Sequence, residues 1–172
     1  METHASNSFK VGKSKTVRYT TIIIWLLVVA VLIPVWYMVT SDPVIGSIII
    51  MAVVTFLVAV VMAYFYSISP RMVEIGEGAL VVHRAVGRKE FRYDDIREAG
   101  LWTGNPLHLF RLCGCDGFYG YTGWFSGGGL GKHFEYVGKY ADAFYIKLRS
   151  GRTYMLSCDE AKTVVERINE KR

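Results

Sequence analysis

Charged and apolar positions divide the chain into two regimes. Between Arg18 and Asp42 lie 23 residues without Asp, Glu, Lys, Arg or His, and between Asp42 and Arg71 lie another 28. Soluble helices carry polar residues in every turn, so a core in a chain of 172 residues could not absorb two such stretches. At ~1.5 Å of rise per residue, a helix over residues 20–39 spans roughly 30 Å, the hydrocarbon thickness of a bilayer, and one over 44–66 does the same. The pattern predicts a two-helix transmembrane hairpin over residues 19–68, closed by a short linker at 40–43. Trp25, Trp36, Tyr37, Tyr64 and Tyr66 fall mostly near the predicted ends, where amphipathic rings favour the headgroup zone. A cleaved signal peptide is the rival for the first run. The length of that run and the lack of a small-residue cleavage site in residues 35–40 argue against it.

Beyond residue 70 the pattern changes to short β runs. Residues 72–75, 79–84 and 89–93 read as strands separated by glycine turns, and 96–102 and 107–113 as two more. Residues 144–149 alternate strictly, with Phe144, Ile146 and Leu148 on one face. Ser150-Gly151 turns the chain, and 153–157 returns as the second arm of a hairpin. The C-terminus reads as a helix: Ser157 and Glu160 match the S-x-x-E capping box, and Ala161, Val164, Val165 and Ile168 recur at helical spacing. Several strands followed by one amphipathic helix predict a small antiparallel barrel capped by that helix. The expected fold class is an α+β membrane protein, with a basic tail over 1–18, the hairpin over 19–68 and a cytoplasmic domain over 70–172.

Charge adds orientation. The chain has 20 Lys+Arg and 15 Asp+Glu, a net of +5. The excess sits beside the apolar runs: Lys10, Lys13, Lys15 and Arg18 precede the first, the linker has none, and Arg71, Arg84, Arg88 and Lys89 follow the second. The positive-inside rule then places both termini in the cytoplasm. Basic residues beside a bilayer suit anionic headgroups better than nucleic acid, for which no motif is present. Neither run carries an ionisable residue, which argues against transport by the chain alone. Three cysteines leave at least one unpaired, against a secreted disulfide scaffold.

Eleven of the 17 glycines lie between Gly100 and Gly138, interleaved with Phe118, Tyr119, Tyr121, Trp124, Phe125, Phe134 and Tyr136. Glycine permits close backbone approach and the aromatics supply apolar area, so the segment reads in two ways. It is either a partner or membrane surface, with Trp124 and Phe125 protruding, or a long bulged hairpin whose rings pack on the barrel or on the span ends. Other chemistry is weaker. GGGLGKH lacks the first glycine and the hydroxyl residue of a phosphate loop. Cys113, Cys115, His108 and His133 offer metal ligands, yet a C-x-C on a strand merely places two small side chains on one face. Asp94-Asp95 reads as a turn. No nucleophile and base pair stands out, so neither catalysis nor a cofactor is expected.

The segment from Arg111 through Gly114, Gly117, Gly120-Tyr121, Gly123, Phe125, Leu130-Gly131 and Tyr140-Ala141 to the hairpin ending at Ser157 resembles a family of bacterial PH-like (pleckstrin-homology-like) domain proteins. Many of these join such a domain to two transmembrane helices. The resemblance implies a PH-like barrel with a C-terminal helix in the bacterial inner membrane, and no particular ligand. Asp142, after Tyr140-Ala141, departs from the family pattern. In a PH-like domain, basic hairpin tips are natural contacts for lipid phosphate. Here those tips hold Arg84, Arg88, Lys89 and Arg92 on one turn, and Lys147, Arg149 and Arg152 on another. The expected function is a membrane-anchored cytoplasmic interaction or scaffolding module, integral to the lipid bilayer, that contacts a protein partner or itself. The alternative is a sensor of anionic lipid or a small ligand.

Overall fold

The computed structural model describes residues 7–41 and 44–172. A three-residue strand, β1 (Ser8–Lys10), comes first, followed by two long helices, α1 (Lys15–Ser41) and α2 (Ile45–Ile68). Strands β2 (Pro70–Ile75), β3 (Ala79–Arg84), β4 (Arg88–Arg92) and β5 (Ile96–Leu101) follow. Next come β6 (Leu109–Asp116), β7 (Tyr121–Gly127), β8 (Lys132–Val137), β9 (Ala143–Leu148), β10 (Thr153–Ser157) and α3 (Ala161–Lys171).

Both long helices are apolar and long enough to cross a membrane. α1 begins earlier than the apolar run because the Ser14 hydroxyl accepts the Val17 N–H at 3.1 Å, satisfying a donor in the helix's first turn. It ends at Ser41, two residues into the expected linker; Asp42 and Pro43 lie outside the described residues. In the last third of α1, Trp36 Nε1 donates to Thr55 Oγ1 of α2 at 3.0 Å and ties the two helices together.

The strands form two sheets, ordered β1-β2-β3-β4 and β5-β9-β10-β8-β7-β6. They enclose one core, into which Phe9, Val73, Leu80 and Phe91 project from the first sheet, Phe144, Ile146 and Leu156 from the second, and Val164 and Ile168 from α3. Full burial of Val164 and Ile168 contributes about 1.5–3 kcal/mol each, so α3 is an integral wall of the domain.

Three expectations need correction. The barrel is not closed, since the strands divide between two separate hydrogen-bonded ladders. Nor is it wholly antiparallel. The tight β9–β10 hairpin inserts β10 between β9 and β8, where it runs parallel to β8. The capping box is also absent: Ser157 is still in β10 and its hydroxyl accepts the Gly138 N–H at 2.9 Å, while Glu160 makes no side-chain cap.

β1 was not foreseen in the basic N-terminal segment. Phe9 and Val11 alternate inward with exposed Ser8 and Lys10, and the strand adds to β2. The glycine and aromatic segment forms β6, β7 and β8, a meander whose β6–β7 ladder is bulged between Arg111 and Cys113. Gly114 and Gly123 face each other across it, and a Cβ on Gly114 would lie 2.6 Å from the Gly123 Cα, so any side chain there would force the strands apart.

Candidate functional site

The tip of the β6–β7 hairpin packs on both long helices. Cys115 and Phe118 bury themselves against Met62, with Ile24, Val28, Val58 and Phe65 around them. Phe118 meets Phe65 edge-on at 6.2 Å between ring centres, and Tyr119 meets Tyr66 at 5.4 Å. Polar contacts fix the position: Tyr119 N–H donates to Thr21 Oγ1 at 3.0 Å, and Trp25 Nε1 donates to the Tyr119 hydroxyl at 2.8 Å. Tyr119 adopts φ 59, a conformation that costs a non-glycine residue of order 1–3 kcal/mol and persists because the surroundings determine it. On the other side, the turn after β3 bonds to the end of α2, Val86 N–H to Ser67 O and Ala85 N–H to Ser69 O, each at 2.9 Å. The rings of the glycine-rich segment thus serve the second of its two readings at this tip.

Between the N-terminal segment and the domain lies a cleft of about 540 Å³, walled by Lys10, Lys13, Lys15, Arg18, Arg71 and Lys139 and by one acid, Asp159. Backbone bonds build its frame: Val11 N–H to Arg71 O at 2.9 Å, and Ser14 N–H to Gly138 O and Asp159 N–H to Lys10 O at 3.0 Å each. Lys139 pairs with Asp142 at 2.8 Å. Among the described residues, Lys10, Lys13, Lys15, Arg18 and Arg71 have no carboxylate partner within 4.0 Å. Burial, together with the nearby Arg71 charge, lowers the Lys13 pKa below the usual lysine value. Lys13 lies over the Tyr119 ring at 5.6 Å and Arg71 over the Tyr66 ring at 5.1 Å.

The residues singled out from sequence lie elsewhere. Arg88 pairs with Glu90 at 2.7 Å, Arg92 approaches Asp94 at 3.6 Å, and Lys147 pairs with Glu98 at 3.1 Å. Arg84 turns inward to the Tyr136 hydroxyl, and Arg149 is exposed. Lys89, Arg92 and Arg152, from the two different hairpins, do meet in a hollow of about 380 Å³, with Glu90 and Asp95 beside them. That hollow lies toward the Ala79 end of β3, whereas Pro70, which follows α2, pairs with Arg84 at its other end. Trp124 is half-buried, edge-on to Phe134 at 5.3 Å with the Lys132 ammonium 5.2 Å from its ring. Phe125 is only 2% exposed, so the expectation that it protrudes fails: its position on β7 turns it into the domain.

A buried polar trio also escaped sequence reasoning. His133 and Glu135 are both 0% exposed on one face of β8. The Gly131 carbonyl can only accept, so His133 Nδ1 carries a proton toward it at 2.8 Å. His133 Nε2 and Glu135 Oε1 share one more proton at 2.9 Å, and the Tyr140 hydroxyl donates to Glu135 Oε2 at 2.8 Å. Burial and the Glu135 carboxyl raise the Tyr140 pKa above the ordinary tyrosine value. The sequence signal is a His-x-Glu pair at alternate strand positions, which places both side chains on one face.

Comparison with known proteins agrees with the architecture. A family model described as the bacterial PH domain matches residues 71–172. Neither a search of curated proteins nor one of solved structures gives a match. Four of the cleft's six cations, Lys10, Lys13, Lys15 and Arg18, precede the matched region, and Arg71 and Lys139 lie within it. With its two sheets, closing helix and two preceding apolar helices, the chain belongs to the bacterial PH domain family.

Proposed function

We propose that the chain is a non-catalytic interaction module anchored in the bacterial inner membrane, with both termini in the cytoplasm and the PH-like domain held against the inner surface for a protein partner. Anchoring raises the effective concentration of the domain for anything else in that membrane, so weak contacts suffice. The observation that carries the reading is β6, which forms one edge of the six-stranded sheet. Leu107, Phe110 and Leu112, on and just before this strand, are 84%, 69% and 55% exposed. An edge strand offers unpaired backbone groups to an incoming strand, and apolar side chains beside it supply the buried area. The test is affinity purification of the full chain in mild detergent, with a Phe110→Ser, Leu112→Ser variant alongside and mass spectrometry of what is retained. A protein, or a second copy of the chain, held by the wild type and lost from the variant supports the reading. Equal retention by both places the partner surface elsewhere.

A further inference from the structure

We propose that the cationic cleft and the apolar hollow beside it form one binding site for a phosphate-bearing anionic lipid, with the phosphate among Lys13, Arg18 and Arg71 and an acyl chain in the hollow. The proposal rests on the membrane placement proposed above and not on the partner surface.

Charge is the first argument. Five cations without carboxylate partners among the described residues converge on one cleft against a single Asp159. Lys13, Lys15 and Arg18 stand at the start of α1, whose first turn contains no acidic residue and whose helix dipole adds further positive potential, while Lys10 ends β1 and Arg71 lies in β2. Such crowding of like charges is unfavourable and becomes favourable once an anion sits among them; the Lys13 pKa is lowered first by burial and further by the Arg71 charge. A phosphate offers several oxygens to ammonium and guanidinium donors arriving from different directions.

Continuity with apolar surface is the second argument, and it separates a lipid from a free anion. A hollow of about 250 Å³ between the long helices is lined by Trp25, Ala59, Met62, Ala63, Tyr66 and Tyr119. Tyr66 and Tyr119 form the boundary shared with the cleft, since they line the hollow while carrying Arg71 and Lys13 over their rings. With α1 and α2 in a bilayer, cations followed immediately by an aromatic rim and an apolar trough match the order of phosphate, glycerol and acyl chain in a lipid. The site also spans two parts of the chain, because most of its cations precede the PH-like domain.

The test uses the full chain in mild detergent micelles, with phosphatidylglycerol, phosphatidylcholine or inorganic phosphate added, and native mass spectrometry as the readout. The wild type should retain phosphatidylglycerol in preference to phosphatidylcholine. Lys13→Gln with Arg71→Gln should weaken that retention roughly 30-fold, about fivefold for each cation lost. Lys89→Gln with Arg152→Gln, which removes the same charge from the other hollow, should leave it unchanged. Ala63→Phe fills the apolar trough, keeps every cation, and should also reduce retention. Equal retention of the two lipids by the wild type, or no effect of the cleft variant, overturns the site. If inorganic phosphate displaces the lipid and Ala63→Phe has no effect, the cleft takes a free anion and the lipid assignment fails. Alkaline carbonate treatment of membranes tests the placement separately: release of the chain would sink the placement, whereas a chain that stays but lacks lipid preference sinks the site alone.

Discussion

The backbone N–H of Tyr119 donates to Thr21 Oγ1 at 3.0 Å, joining the tip of the β6–β7 hairpin to the first long helix across 98 residues of sequence. Thr21 in turn donates to Val17 O at 2.7 Å, so the contact is anchored in the helix backbone. The domain therefore does not hang from the helix pair by a loop. Phe118, 6% exposed, is the main apolar side chain of this joint. Phe118→Ala should lower the stability of the full chain in detergent by about 3–5 kcal/mol, the usual cost of truncating a buried phenylalanine. A thermal melt unchanged by this substitution would mean that helix pair and domain are independent.

Much of this architecture is legible in sequence because it rests on local periodicity. The uncharged runs specify the long helices, strict alternation at Phe144, Ile146 and Leu148 specifies β9, and helical spacing at Val164, Val165 and Ile168 specifies α3. β1 is hidden by its setting, since Phe9 and Val11 sit among lysines and become apolar partners only when β2 lies beside them. The sheet split is a question of which strands pair, and periodicity carries no such information. The cleft shows the same limit. Its cations are visible one by one as charges flanking an apolar run, but their convergence depends on Ser14 bonding to Gly138 and Val11 to Arg71, contacts far apart in the chain.

The His133–Glu135 pair is neutral overall, since imidazolium with carboxylate and imidazole with carboxylic acid hold the same number of protons. Removing one partner leaves the other buried and uncompensated, at a cost of about 3–5 kcal/mol. Glu135→Ala should therefore be severely destabilising. Glu135→Gln offers an amide N–H to a neutral His133 Nε2 and a carbonyl to the Tyr140 hydroxyl, so every hydrogen bond survives. It should cost about 1 kcal/mol, within the range of a single perturbed hydrogen bond. Denaturant midpoints of the two variants measure the difference, and equal losses would show that the charged pair itself is required.

Cys158 is 1% exposed, and burial pushes its thiol pKa from 9.0 up to about 12. The folded state keeps its proton where the unfolded state loses it, so the contribution of this group to stability is intact below pH 9.0 and is lost between there and about pH 12. Cys158→Ala should make the decline of melting temperature above pH 9.0 shallower than in the wild type. Exposed Cys113 should react with maleimide in the folded chain, and Cys158 only on unfolding. Ready labelling of Cys158 in the native state would contradict its burial.

Orientation across the membrane follows from where the cations lie along the helix pair. Lys13, Lys15 and Arg18 stand at the start of α1 and Arg71 just beyond the end of α2, the same end to which the PH-like domain is packed. The other end, around Ser41 and Val44, has no basic residue. Cations near helix ends are retained on the cytoplasmic side, so domain and cations should share it. In a background without the three native cysteines, Ser41→Cys should react with an impermeant thiol reagent applied to intact cells. Ser150→Cys, at the β9–β10 turn, should react only after the membrane is opened. Labelling of the Ser150 position in intact cells would reverse the orientation. It would also put the cationic cleft against the outer leaflet, away from the strongly anionic inner surface that its charges suit.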